Sequence, residues 1–195
     1  MSEAGNTRQR IQQVAVELFT EQGYDATSLR QIAERLGLTK AALYYHFRTK
    51  EDIAVSFFED YGHAVEDLTE WGESRPNSID TKRELLARYA DLLVAHMPAM
   101  RFMHENRPAL RKFNKEQLFQ ERMGRLIRIL ASDEDTLLRR LRAFDAIMTM
   151  HGAWFLRTSM ADDPAEIREA TLAISIELIE SNERDRRPSA APTSP

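Results

Sequence analysis

The sequence has no cysteine, which excludes a disulfide framework and any thiolate metal site and fits a reducing compartment. Glycine and proline are scarce, at seven each in 195 residues. No segment alternates apolar and polar residues between turn signals, so β structure has no support. No apolar run approaches the roughly 18 residues that a membrane span requires. The opening MSEAGNTRQR is polar, and a soluble, cytoplasmic protein is the expectation. A P-loop, a dinucleotide-binding glycine motif and HExxH are all missing. No Glu-x-x-His pair precedes any of the five histidines, which removes the carboxylate-bridged metal oxidase that a helical bundle otherwise invites. Asp60, His63 and Asp67 fall one or two turns apart and could share a metal. A charged outer helix face explains them equally well, and neither a metal nor another cofactor is expected.

What remains is an all-α pattern with an uneven charge distribution. Residues 1 to 50 hold seven Lys/Arg against five Asp/Glu, leaving 20 against 26 for the rest of a chain whose net charge is -4. A slightly basic head on an acidic body places any contact with phosphate in the head.

The head reads as short helices. Ile11, Val14, Ala15, Leu18 and Phe19 recur on one face between Thr7 and Gln22, and Gly23 ends that helix. Ser28 and Gln31 form a capping-box signature before Leu29, Ile32, Ala33 and Leu36, with Gly37 just past the end. Thr39 can cap a third helix carrying Leu43 and Phe47, and Thr49 with Asp52 a fourth that runs to about Trp71.

Two short helices joined by Gly37-Leu38-Thr39 have the turn chemistry of a helix-turn-helix. With Leu43 and Phe47 inward, a step of about 100° per residue turns Ala41 and Tyr45 outward and puts Tyr44 and Ala42 on the flanks. Small alanines permit close approach to base edges, while the tyrosine hydroxyls, His46, Lys40 and Lys50 can donate to phosphates.

In the body, a helix is expected from Lys115 to Ala131, another to about Met160 and a last one from Pro164 to about Ser181. Pro98 and Pro108 are expected to break the chain around a short helix from Ala99 to Asn106. The last two helices are apolar on more than one side, which argues for a homodimer with Leu141, Phe144, Met148, Ile167, Ile174 and Leu178 at the interface. Met97, Met100, Phe102, Met103, Phe113, Phe119 and Met123, with Met148 and Trp154, make a methionine and aromatic cluster suited to an apolar or aromatic ligand, with His104 as a polar contact. Ordinary core packing is the competing account of each one singly. Residues 183 to 195 are expected to be a disordered tail.

Taken together, Thr7-Arg8, Ile11, Ala15, Leu18-Phe19, Gly23-Tyr24, Thr27-Ser28-Leu29, Ile32-Ala33, Leu36-Gly37-Leu38-Thr39, Leu43-Tyr44-Tyr45-His46-Phe47 and Thr49-Lys50-Glu51 closely resemble the TetR-type DNA-binding domain. The resemblance implies an N-terminal three-helix helix-turn-helix domain over residues 7 to 67 and stops there; a helical ligand-binding and dimerisation domain over 68 to 182 is expected from the architecture of the body. As to function, the resemblance implies a homodimer on palindromic double-stranded DNA, a repressor released by a small-molecule effector rather than an enzyme. Thr27 and Ser28 would then hold a phosphate at the N-terminus of the second helix, and Tyr45, His46 and Lys50 further phosphates. Thr39, Lys40, Ala41 and Tyr44 would lie nearest the bases, with Arg30 a weaker candidate.

Overall fold

The computed structural model describes residues 3–106, 116–131, 136–159 and 163–184. Among them are eight helices and no strand: α1 (Glu3–Gln22), α2 (Leu29–Leu36), α3 (Lys40–His46), α4 (Lys50–Glu73), α5 (Ile79–Glu105), α6 (Glu116–Ala131), α7 (Leu137–Ser159) and α8 (Pro164–Arg184). The chain folds as two units, Met1–His63 with Ala95–Gln117 and Ala64–Val94 with Leu118–Pro195. No helix among the described residues is long and apolar enough to cross a membrane.

Local sequence sets the ends of the head helices. Gly23 and Gly37 take positive φ (92° and 64°), which only glycine adopts without strain, and they end α1 and α2. Ser28 caps α2 in a complete capping box with Gln31, and Thr39 caps α3 through a 3.1 Å bond from Ala42 N. Thr49 and Asp52 cap α4 reciprocally, each backbone N–H donating to the other's side chain (2.9 and 3.1 Å).

The first unit packs Ile11, Ala15 and Phe19 of α1, Ile32 of α2, Leu43 and Phe47 around α3, and Ile53 and Phe57 of α4 into one core. Gln12 braces α1 against α4, donating from Nε2 to Ser56 Oγ at 2.7 Å and to Asp60. Asp60, one of the three residues whose spacing could suit a metal, is thereby engaged in the head's own framework.

The second unit is built on Leu85, Leu86 and Tyr89 of α5, Leu126 and Leu130 of α6, Ile147 and Met150 of α7, and Ile179 of α8. Small buried residues (Ala143, Ala146, Thr171, Ser175) let α7 and α8 approach closely, and Ser175 Oγ lies 2.8 Å from the Ala146 carbonyl. A carboxylate–guanidinium clasp ties α4 to α6: Glu66 meets Arg122 at 3.2 Å and also Arg125, which grips Glu73 at 2.6 Å. The Arg125 hydrogen bond holds the Glu73 carboxyl below the usual range.

Two boundaries differ from the sequence reading. Pro98 lies inside α5 rather than ending it, and the helix continues to Glu105. The carbonyl that Pro98 cannot serve is that of Val94, an exposed residue, so water can satisfy it. At the other end, α8 runs to Arg184 instead of stopping near Ser181. Asn182 is fully buried, donating to the Arg139 carbonyl and accepting from Arg142 (3.3 Å each), and Glu183 pairs at 2.8 Å with the buried Lys82. The segments around Pro108 and Ser132, and residues 185–195 of the expected tail, lie outside the described residues.

Candidate nucleic-acid interface

The turn after α2 is closed by its left-handed glycine. Gly37 N–H bonds the Glu34 carbonyl at 3.2 Å and Leu38 N–H the Ala33 carbonyl at 2.9 Å, so α3 starts soon after α2 ends. Leu43 and Phe47 anchor α3 inward, fully and nearly fully buried. The outward face carries Ala41, Tyr44 at 42 % exposure and Tyr45 at 82 %. Lys40 Nζ sits 5.4 Å from the centre of the Tyr44 ring, and His46 meets Tyr45 edge-on at 5.2 Å. A short helix with a flat, exposed face of alanine and tyrosine, rimmed by polar donors, fits a major groove.

Of the residues expected to meet DNA, Ser28, Arg30, Thr39, Lys40, Ala41, Tyr44 and Tyr45 are exposed and His46 partly so. Arg30 shares its charge with Glu34 at 2.7 Å.

Two residues are placed otherwise. Thr27 is buried, its hydroxyl 2.8 Å from the Gly23 carbonyl and 3.1 Å from Gln22 Nε2, because a hydroxyl in this tight turn closes the loop between α1 and α2. Lys50 turns inward over the same loop. Its ammonium donates to the carbonyls of Tyr24 (2.5 Å), Thr27 (3.1 Å) and Asp25 (3.2 Å) and stands 4.4 Å above the Tyr24 ring. An ammonium has three N–H donors, and all three are committed to backbone oxygen. The Tyr24 hydroxyl is pushed up by burial and by the Glu51 carboxylate. Nothing in the spacing of Lys50 distinguishes a loop anchor from a phosphate ligand; only the folded position of the α1–α2 loop does.

Of the residues expected to line an effector pocket, the side chains of Met97, Met100, Phe102, Met123 and Met148 are described, each within its own unit. Phe102 belongs to the core of the first unit, stacked on Phe19 at 4.8 Å and set against Tyr24 and Phe57 at 5.5 and 5.7 Å. It is 1 % exposed, which makes it a core residue of the head rather than a pocket wall. Met97 and Met100 fall in the same unit and are partly buried, while Met123 is buried in the second unit and Met148 lies on its surface. The side chains of Met103, His104, Phe113, Phe119 and Trp154 lie outside the described residues.

The second unit holds a polar pair that periodicity did not single out. Tyr89 on α5 and His151 on α7 stack at 5.9 Å, with Tyr89 Oη 2.5 Å from His151 Nε2 and 3.6 Å from Met123 Sδ. Burial lowers the imidazole pKa to about 4, so the ring is neutral at pH 7. On the α7–α8 surface, Leu141, Phe144, Met148 and Ile174 are exposed, in line with a role outside the unit's own core, and Leu137 extends the row. Ile167 is buried and Leu178 partly buried, so Ile167 packs within the unit and not on its surface.

These features define an all-α protein with an N-terminal helix-turn-helix and a helical C-terminal region. Residues 11–56 match the family model described as bacterial regulatory proteins, tetR family. The HTH-type transcriptional regulator AcrR of Shigella flexneri is 46 % identical over 57 residues, 29 % of this chain and 26 % of that protein. TcmR of Streptomyces glaucescens, another HTH-type transcriptional regulator, is 29 % identical over 138 residues, 66 % of this chain and 60 % of its own length. These curated matches thus span between about a quarter and three fifths of the relatives concerned. Among solved structures, the TetR family transcriptional regulator PfmR of Thermus thermophilus shares the fold, with a TM-score of 0.69 at 24 % identity over 88 % of this chain and 97 % of that one. The N-terminal segment is thus similar to the DNA-binding domain of the tetR family of bacterial regulatory proteins, and the chain as a whole shares the fold of solved regulators of that kind.

Proposed function

We propose that the protein is a dimeric, sequence-specific DNA-binding transcriptional regulator, a repressor released from a palindromic operator by a small apolar or aromatic ligand. The observation that carries this reading is the outward face of α3: two exposed tyrosines and an alanine on a helix fixed by Leu43 and Phe47, within the segment that matches the family. A single helix-turn-helix covers one half-site, so affinity requires a second copy with its recognition helix about 34 Å away. The exposed row Leu141, Phe144, Met148 and Ile174 supports the α7–α8 face as the surface that joins the copies. Proposed ligand contacts are Met97, Met100, Met103, His104, Phe113, Phe119, Met123, Met148 and Trp154, with Phe102 withdrawn to the head. Soft, flexible methionines and aromatic rings favour an apolar guest. Such a guest would bias the spacing of the two heads.

The test is a gel shift with fragments from upstream of the gene, combined with sedimentation. The wild type should sediment as a dimer and bind one palindromic fragment with an affinity that falls steeply with salt. Ile174→Asp should sediment as a monomer and lose that fragment. Saturating wild-type protein that shifts no fragment at low salt would sink the reading, and a dimeric Ile174→Asp would move the interface elsewhere.

A further inference from the structure

With Lys50 committed to the α1–α2 loop, the head must find cations for a DNA backbone elsewhere. Three of the head's arginines are already neutralised by carboxylates: Arg30 by Glu34, Arg35 by Glu21 and Arg101 by Glu105. Arg8, Arg10 and Arg48 differ: none forms an ion pair among the described residues, and all three retain exposed surface.

Arg8 is also held in place. Its guanidinium carbon lies 4.6 Å from the centre of the Phe47 ring, and Phe47 is the C-cap residue of α3, buried on its other side in the head core. A guanidinium stacked on an aromatic face keeps its N–H edges free to donate while losing part of its conformational freedom. The stack therefore fixes a forked donor at the end of the helix that carries Tyr44 and Tyr45. Arg48 follows Phe47 directly and brings a second uncompensated charge to the same end of α3.

On the strength of the regulator reading above, we infer that Arg8, seated on Phe47 and assisted by Arg48, is a DNA-backbone contact that grips phosphate beside the C-terminal end of the recognition helix. The chemistry fits a phosphodiester: a planar fork accepts two phosphate oxygens at once, and a charge with no carboxylate partner need not break an ion pair to do so. The site adds affinity without reading sequence, since phosphates are the same at every step. Phe47 acts as a positioning residue, its ring serving the core on one face and the arginine on the other.

The salt dependence of binding to one fixed duplex tests this in the full-length dimer. Each lost phosphate contact lowers the slope of log K against log salt by about 0.9. Arg8→Gln and Arg48→Gln should each reduce the wild-type slope by about that amount, with equal losses on operator and unrelated duplexes. Arg8→Lys should keep the slope, because its charge remains. Arg10 stands about 200° around α1 from Arg8, so Arg10→Gln should leave the slope at the wild-type value. A wild-type slope in Arg8→Gln overturns the inference, as does an equal fall in Arg10→Gln, which would mean that only net charge counts. Circular dichroism melts separate a folding defect from a lost contact, since a merely structural Arg8 would lower the melting temperature and leave the slope alone. Failure of the wild type to bind any duplex would instead strike the regulator reading itself.

Discussion

At the residue scale, side chains of similar character take opposite roles for reasons that lie in three dimensions. Lys40, Lys50 and Arg8 are all cations on or beside the candidate groove-binding helix. Yet Lys40 is exposed beside Tyr44, Arg8 rests on Phe47, and Lys50 is spent on three carbonyls of the loop from Tyr24 to Thr27. The resemblance implies Lys50 and Thr27 as phosphate ligands from residue type, and the structure turns the Lys50 ammonium and the Thr27 hydroxyl onto the α1–α2 loop. The outward tyrosines were legible, since Leu43 and Phe47 fix the phase of α3 from the sequence alone. Lys50→Met should therefore act first on folding: three carbonyls lose a charged donor, at a cost of about 2 kcal/mol. Urea unfolding of the variant should show a lowered midpoint at unchanged m-value, and a midpoint equal to wild type would return Lys50 to the phosphate ligands.

At the scale of elements, the caps were the most readable feature. Ser28–Gln31, Thr39 and Thr49–Asp52 all sit where their spacing places them, because capping is a local exchange between side chain and backbone. The failures were non-local. Pro98 was expected to end a helix that continues past it, and α8 continues because Asn182 meets α7 and Glu183 meets Lys82 of α5.

The Tyr89–His151 pair between α5 and α7 belongs to the same class, and it has a consequence for pH. Its imidazole titrates at about 4 in the folded protein against about 6.5 when unfolded, so the unfolded state binds more protons between those values. Stability is thus full above pH 6.5, falls as pH drops from there toward 4, and levels off below, with a loss of roughly 3 kcal/mol. His151→Gln should flatten that part of the curve, as read by melting temperature from about pH 7 to about pH 4. A variant that keeps the wild-type profile would assign the loss to other groups.

At the scale of the whole molecule, the all-α class and the order of head before body followed from composition and periodicity. Sequence reading drew the head as one continuous stretch to residue 67, whereas the first unit takes Ala95–Gln117 as well. Phe102 explains why: it lies far along the chain from Phe19, Tyr24 and Phe57, yet completes their cluster. Truncating a buried phenylalanine costs roughly 3–5 kcal/mol, a large share of what a small domain has to spare. A purified fragment of residues 1–67 should accordingly unfold at much lower urea than the head within the full chain. Adding a peptide of residues 95–106 in excess should raise that midpoint, and a fragment as stable as the full-length head would show the fourth ring to be dispensable. The head is therefore not a portable cassette. Anyone grafting it onto a different effector domain must carry over the distant turn of helix that bears Phe102, and natural exchange of bodies among such proteins would meet the same requirement.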